Sequence, residues 1–155
     1  MVFRVFVCGV LLGFCIFAAV FNLICLFMGE IHVGLRHVSE MRVAEGVTAG
    51  AVGSGDLPVL ATPMMLALME NAAMLAVAPV LPEGCTTVGG RIASSHLCPS
   101  AVGDLVRAEA EVTRVEGRRI EFRVAAYSGE RLLGEGTHLR FVVSRERFLA
   151  GLAAR

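Results

Sequence analysis

A nearly uncharged stretch in the middle of this chain is followed by segments in which apolar and polar residues alternate. The stretch is ATPMMLALMENAAMLAVAP, from Ala61 to Pro79, and its one charged side chain is Glu70. Thr62 followed by Pro63 is a good helix start, because a threonine hydroxyl can cap free N–H groups and proline suits the first helical position. The stretch therefore predicts a helix that is apolar nearly all round and buried on most sides.

Three later segments have a period of two: DLVRAEAEV, RRIEFRVAA and THLRFVV. Such alternation is typical of strands with one face toward water, as in antiparallel sheets. In the third segment Leu139, Phe141 and Val143 share one face, which leaves His138 and Arg140 on the face expected to be wet. Turns at Glu116-Gly117 and Ser128-Gly129 join the three as a meander.

An earlier strand is predicted at Thr87–Leu97, before the loop at Pro99. A long buried helix followed by a meander favours an α+β hotdog fold, an antiparallel sheet wrapped around a central helix. One sheet covers a helix incompletely, so we expect a homodimer or a larger assembly.

The N-terminus is a separate apolar segment, residues 1–29, ahead of a domain at residues 30–155. No charged residue occurs from Val5 to Gly29, which is long enough for a membrane-spanning helix. The segment is too long for a cleavable signal peptide. It is therefore either a membrane anchor through residues 5–29 or upstream sequence from a misplaced start, since Met28 opens a stretch typical of a domain start.

Composition narrows the classes of partner. Lys plus Arg equals Asp plus Glu at 14 each, without a basic run, so the chain lacks the positive face that a nucleic-acid partner requires. Five cysteines form no C-x-x-C pair and no His/Cys cluster with metal-site spacing. We therefore expect reduced thiols, a cytoplasmic domain and no metal.

Three polar residues are candidates for chemistry near the predicted helix. Glu70 is a lone carboxylate in apolar surroundings, although it can also lie on a wet edge of the helix beside Asn71. His96 shares parity with Val88 and Ile92 and should point toward the helix, where a lone histidine is more often a hydrogen-bonded core residue. For Thr62 a plain helix cap is a sufficient explanation. Together the three make general acid–base equipment.

The spacing of these candidates along the helix limits the site. Eight residues separate Thr62 from Glu70, which is about 12 Å at the helical rise. One small reacting group cannot easily touch both within one subunit. Either the site is elongated with His96 between them, or the two residues come from opposite subunits of a dimer.

The same residues give the chain a family resemblance. From Gly34 to Leu149 it resembles the fluoroacetyl-CoA thioesterase-like hotdog proteins, through ATPMMLALMENAAMLAVAPVLPEG, TTVGGRIASSH, VEGRRIEFRVAAYSGE and GEGTHLRFVV in that order. The resemblance implies a catalytic set of Thr62, Glu70 and His96, a thioester-contacting glycine at Gly89 and a substrate-binding arginine at Arg140. The adjacent Gly90 would help a thioester to approach the backbone. The alternative for Arg140 is a solvated strand charge.

The resemblance implies hydrolysis of a small acyl-CoA thioester to free acid and coenzyme A, with the thioester as substrate and no cofactor. Aromatic residues cover the site of the fluoroacetyl-specific enzyme, whereas the corresponding stretch here, AGAVGSGDLPVL, contains none. Fluoroacetyl specificity is therefore not expected. A non-catalytic acyl-CoA-binding hotdog protein is the alternative, and a hydratase is less favoured because no Asp/His pair of that type is present. Acyl-CoA chemistry places the domain in the cytosol even if the N-terminus is anchored.

Overall fold

The computed structural model describes residues 31–154 as one five-stranded sheet with a long helix on one face. The strands are β1 (Arg36–Arg42), β2 (Cys85–His96), β3 (Leu105–Glu116), β4 (Arg119–Ser128) and β5 (Arg131–Ser144). The helices are α1 (Ala49–Val52), α2 (Thr62–Val77) and α3 (Arg145–Ala153), with short 3-10 turns at Glu45–Val47 and Ala78–Val80. The predicted apolar segment, residues 1–29, lies outside the described residues.

The sheet has the strand order β1-β3-β4-β5-β2, and all neighbours are antiparallel. Two-residue turns join β3 to β4 and β4 to β5. Gly117 (φ 55°) and Gly129 (φ 58°) occupy the positive-φ positions that these turns need. The predicted meander and the α+β class are therefore confirmed, and the predicted strand at Thr87–Leu97 corresponds to β2.

Strand β1 and helix α3 were not predicted. Ser39 is the only buried residue of β1, so no apolar alternation marks this edge strand in the sequence. Helix α3 has no buried residue, although Ser144 caps it by accepting a hydrogen bond from the Arg147 backbone N–H. Both elements lie at the margin of the core, where burial leaves little pattern to detect.

Helix α2 is the core helix, but in the single chain it is buried along one stripe only. Its buried residues are Met65, Leu68, Met69, Ala72, Ala73, Ala76 and Val77. They pack mainly across β1 and β3, against a core whose largest buried side chain is Phe122. Burial on most sides was therefore a wrong expectation for one chain, since Pro63, Ala67 and Asn71 are exposed. Thr62–Val80 has the length and hydropathy of a membrane span, but its buried stripe identifies it as the core helix.

The inner face of β5 differs from the prediction. His138 and Arg140 are only 2% and 6% exposed, whereas Phe141 is 38% exposed. The polar residues therefore face the helix and the alternating apolar residues face outward, the reverse of the expected orientation. A second difference lies in β2, where a bulge between Gly89 and Arg91 shifts the register, so that Val88 pairs with Phe141 on the outer face while Ile92 pairs with His138 on the inner face.

Candidate active site

Thr62 and His96 form the first polar pair of the site. Thr62 is the first residue of α2, the N-cap is Ala61, and no side chain caps this helix end. The Thr62 Oγ1 instead lies 2.8 Å from Nδ1 of His96 at the end of β2. The helix-cap explanation of Thr62 is therefore wrong, because its hydroxyl forms a hydrogen bond with the imidazole of His96.

The second ring nitrogen of His96, Nε2, forms no hydrogen bond with the described residues. This atom is buried. A buried polar atom of this kind calls for a partner, because leaving it without a hydrogen bond costs free energy. The orientation toward α2 matches the expectation for His96, which remains able to give or accept a proton at Nε2.

Glu70 lies two turns further along α2, in the second cluster of the site. Its side chain is 42% exposed, so the expected burial in apolar surroundings is wrong for the single chain. The carboxylate is nevertheless close to two buried side chains: Oε1 lies 3.4 Å from His138 Nε2 and 4.0 Å from Arg140 Nη1. Glu70 thus combines access from solvent with a positive charge behind it.

The two glycines at the β2 bulge have different surroundings. A Cβ on Gly89 would lie 2.7 Å from Glu70 Oε1, so the absence of a side chain there makes room for the carboxylate. A Cβ on Gly90 would lie 2.6 Å from Phe141 Cε2 on the outer face. Gly89 therefore lines the carboxylate, whereas the Cα of Gly90 is covered by an aromatic ring on the opposite side of the sheet.

Arg140 is enclosed between β5, β2 and α2. Its Nε donates to Thr87 Oγ1 at 2.9 Å, and its Nη2 donates to the Thr87 carbonyl at 2.9 Å. Its Nη1 lies 3.1 Å from His138 Nε2 and 3.4 Å from the Glu70 carbonyl oxygen. Burial lowers the pKa of Arg140, and the charge of Glu70 opposes this shift. Arg140 is therefore not a solvated strand charge but a cation fixed inside the domain.

His138 is the residue of this cluster that sequence reasoning missed. It was assigned to a wet face together with Arg140, and a single histidine in a strand gives no further signal. The residues that share its parity, Gly134, Gly136 and Arg140, were the available clue. A Cβ on either glycine would collide with the backbone of β2, and on Gly134 also with Met65 of α2, so this face has no room for side chains there.

The structure thus forms two clusters, not one. Thr62 and His96 are in direct contact, while Glu70, Gly89 and Arg140 are grouped near His138. Along α2 the clusters are about 12 Å apart. His96 lies with Thr62 and does not bridge the two clusters within one chain.

The sequence profile of the fluoroacetyl-CoA-specific thioesterase family matches residues 43–146, which include both clusters. This chain belongs to that family. The match confirms the resemblance seen in the motifs and makes the chain a member of a family of thioester hydrolases.

Comparison with individual proteins supports this family assignment. The chain is 41% identical over 92 residues to the fluoroacetyl-CoA thioesterase of Streptantibioticus cattleyicolor, and this alignment covers 59% of this chain and 66% of that enzyme, just under two thirds. A solved structure of a fluoroacetyl-CoA thioesterase superposes with a TM-score of 0.76 at 33% identity, covering 81% of this chain and 98% of that one.

Two further structures show how widely the fold is shared. A thioesterase superfamily member from Thermus thermophilus has a TM-score of 0.75 at 29% identity, covering 81% of this chain and 93% of that one. A hot-dog-like protein from Thermanaerovibrio acidaminovorans has a TM-score of 0.72 at 27% identity, covering 79% of this chain and 91% of that one. The hotdog fold predicted from the sequence is confirmed.

Proposed function

We propose that this protein hydrolyses a small acyl-CoA thioester to the free acid and coenzyme A. The observation that carries the proposal is the Glu70 carboxylate, which is reachable from solvent and rests against the bare Cα of Gly89. A thioester carbonyl can approach such a position closely because no side chain intervenes. The family relationship supports the reaction class, and the contact between Glu70 and Gly89 supports the choice of these two residues.

Glu70 begins the reaction in one of two ways. As a base it takes a proton from a water whose oxygen attacks the thioester carbonyl; as a nucleophile it forms a mixed anhydride that water then hydrolyses. Either path passes through a tetrahedral oxyanion, and the proposal assigns its stabilisation to backbone N–H groups at the β2 bulge. Collapse of this intermediate breaks the C–S bond, and His96 shuttles a proton from water to the departing thiolate. Thr62 orients the imidazole through their hydrogen bond.

The active assembly in this proposal is a homodimer. Among the described residues, β2 is a twelve-residue strand at the edge of the sheet, and Pro63 and Ala67 on α2 are exposed. This part of the chain therefore presents both an edge without a neighbouring strand and an incompletely covered core helix. Pairing two chains covers these surfaces. It also allows the Thr62–His96 pair of one chain to complete the Glu70 cluster of the other.

Mixed dimers test this arrangement. Two differently tagged chains, one Glu70→Gln and one His96→Ala, are expected to be inactive alone and to regain about half of the wild-type activity as purified mixed dimers, because one of the two sites then holds both native residues. Thiol release and sedimentation mass are measured together. Inactive mixed dimers would show that each site lies within one chain, and a monomeric mass would dispose of the dimer.

The acyl group is proposed to be small and not restricted to fluoroacetyl. The loop after α1 runs through Gly53, with φ 75°, to an exposed Asp56, and no aromatic side chain lies in it. The wild-type chain is expected to turn over acetyl-CoA and short acyl-CoA esters at rates within about tenfold of fluoroacetyl-CoA, since one small substituent in a pocket changes specificity by about that factor. Free-thiol release over the panel measures this.

The alternative, a protein that binds acyl-CoA without hydrolysing it, gives a different result in the same panel. Calorimetry would show tight binding of intact acyl-CoA while no thiol is released.

The proposal places the domain in the cytoplasm, where coenzyme A thioesters are found, and requires no metal or cofactor. Membrane attachment through residues 5–29 stays a prediction, which carbonate extraction of membranes from cells that express the full chain tests.

A further inference from the structure

His138 is an enclosed imidazole in the Glu70 cluster. Its side chain is 0% exposed, and its ring lies 6.3 Å from the ring of Phe122, centroid to centroid. Nδ1 lies 2.9 Å from the Arg91 carbonyl oxygen, while Nε2 lies 3.1 Å from Arg140 Nη1. Both ring nitrogens are therefore engaged inside the protein, and His138 has no free atom with which to contact a substrate.

These contacts fix where the proton of His138 resides. A carbonyl oxygen only accepts, so Nδ1 carries the hydrogen. Nε2 lies closer to Arg140 Nη1, at 3.1 Å, than to Glu70 Oε1, at 3.4 Å, and because a guanidinium only donates, Nε2 presents its lone pair to Arg140. The ring is therefore neutral. Burial lowers the pKa of His138, the positive charge of Arg140 lowers it further, and the Arg91 hydrogen bond and Glu70 oppose this. Glu70 from α2 and Arg140 on β5 are the charged groups that face the ring; β2 presents the Arg91 carbonyl and β4 presents Phe122.

The neutral ring determines what Arg140 can do to Glu70. Thr87 holds two of the three guanidinium nitrogens, and His138 occupies the third, Nη1, which lies 4.0 Å from Glu70 Oε1. One Nη1 hydrogen reaches the Glu70 carbonyl oxygen at 3.4 Å. Without an acceptor at Nε2, the other hydrogen would turn to the strongest acceptor in reach, the Glu70 carboxylate, because a buried donor without a partner is costly. Closing that ion pair would draw Oε1 away from Gly89.

We propose that His138 is a positioning residue, which restrains Arg140 so that it remains a nearby counter-charge and does not become a direct ligand of Glu70. The proposal rests on the proposed function, in which Glu70 must stay free to act on a thioester. Protonation of His138 reverses the arrangement, since an Nε2–H would repel Arg140 and donate to Glu70 Oε1. His138 thereby links the availability of the carboxylate to a proton that lies out of reach of the substrate.

Two variants separate the functions of the ring nitrogens. His138→Asn keeps an N–H near the position of Nδ1 but leaves nothing at Nε2, whereas His138→Gln reaches the Nε2 position with an amide oxygen that accepts from Arg140. In the full-length protein we expect His138→Asn to lower kcat about tenfold or more with little change in KM, and His138→Gln to stay within about threefold of wild type. Equal kcat values for the two variants would overturn the proposal.

A double-mutant cycle distinguishes positioning from a structural role. If His138 acts through Arg140, His138→Asn should change kcat less than about twofold in an Arg140→Gln background, since the group that it restrains is gone. A purely structural role predicts the same tenfold loss in both backgrounds, which would contradict the proposal.

A measurement without substrate keeps the proposal separate from the proposed function. Nitrogen-15 NMR of labelled histidine is expected to show His138 as the neutral Nδ1–H tautomer at pH 7, and to keep it neutral below pH 6.5, the ordinary histidine value. A protonated ring or an Nε2–H tautomer at pH 7 would overturn the inference even if the enzyme is active. Absence of turnover in wild type together with the expected tautomer would count against the thioesterase alone.

Discussion

Replacing Glu70 by glutamine is expected to lower kcat for acyl-CoA hydrolysis by about 10²- to 10⁴-fold. Glutamine fills nearly the same volume on α2, but its amide can neither take a proton from water nor attack a thioester. The loss should appear mainly in kcat, because glutamine keeps nearly the same shape beside Gly89, where we propose that the thioester binds. Thiol release at saturating substrate measures the effect directly.

Glu135→Gln is the matched control. Glu135 is an exposed carboxylate of β5 on the outer face of the sheet, so the same chemical change there should leave kcat within about twofold of wild type. Thermal denaturation of both variants verifies that they fold. If Glu70→Gln kept more than about a third of wild-type activity, the carboxylate would be excluded as base or nucleophile.

The central helix and the meander were predictable because their signals are local. A 19-residue stretch with one charge and helix-favouring residues indicates a helix, and period-two alternation with a glycine at each turn indicates adjoining strands. Each of these signals can be recognised within one segment, without knowledge of the segments that pack against it. The orientation of His96 toward α2 was predictable from its parity with Ile92 on the same side of the bulge, whereas the parity with Val88 was misleading because Val88 lies before the bulge and faces outward.

The orientation of β5 was not predictable in this way. Leu139, Phe141 and Val143 on one face of β5 are more hydrophobic than His138 and Arg140 on the other. Hydropathy alone therefore predicts that His138 and Arg140 face solvent. Their burial depends on hydrogen-bond partners that are distant in the sequence. Arg140 donates to the Thr87 hydroxyl on β2, and His138 donates to the Arg91 carbonyl oxygen. Burying a cation is tolerable only with such partners, and no period in a single strand reveals them.

The division of the site into two clusters has the same origin. Thr62 precedes a proline that suits the first helical position, and nothing local shows that its hydroxyl contacts a histidine 34 positions later instead of capping the helix. Glu70 likewise appears buried in the sequence because its neighbours are apolar, although the stripe of α2 on which it lies is open in one chain.

A methyl group on Gly89 should impair the enzyme while leaving the fold intact. The Cβ of Gly89→Ala would lie 2.7 Å from Glu70 Oε1, so one of the two must move. The carboxylate is the end of a flexible, partly exposed side chain and can turn toward solvent at low cost. We therefore expect kcat/KM to fall about 10²-fold, as displacement of a reacting group by about 1 Å can cause, with the melting temperature nearly unchanged.

Gly46→Ala gives the corresponding control, because a Cβ there has no atom within 4 Å and its φ is not positive. It should change neither activity nor melting temperature. The pair separates the position of the carboxylate from general effects of adding a methyl group to a glycine. Full activity in Gly89→Ala would mean that the chemistry does not occur where Glu70 meets the β2 bulge. A large fall in its melting temperature would instead show that Glu70 is held rigidly, with Arg140 bound to it more tightly than 4.0 Å implies.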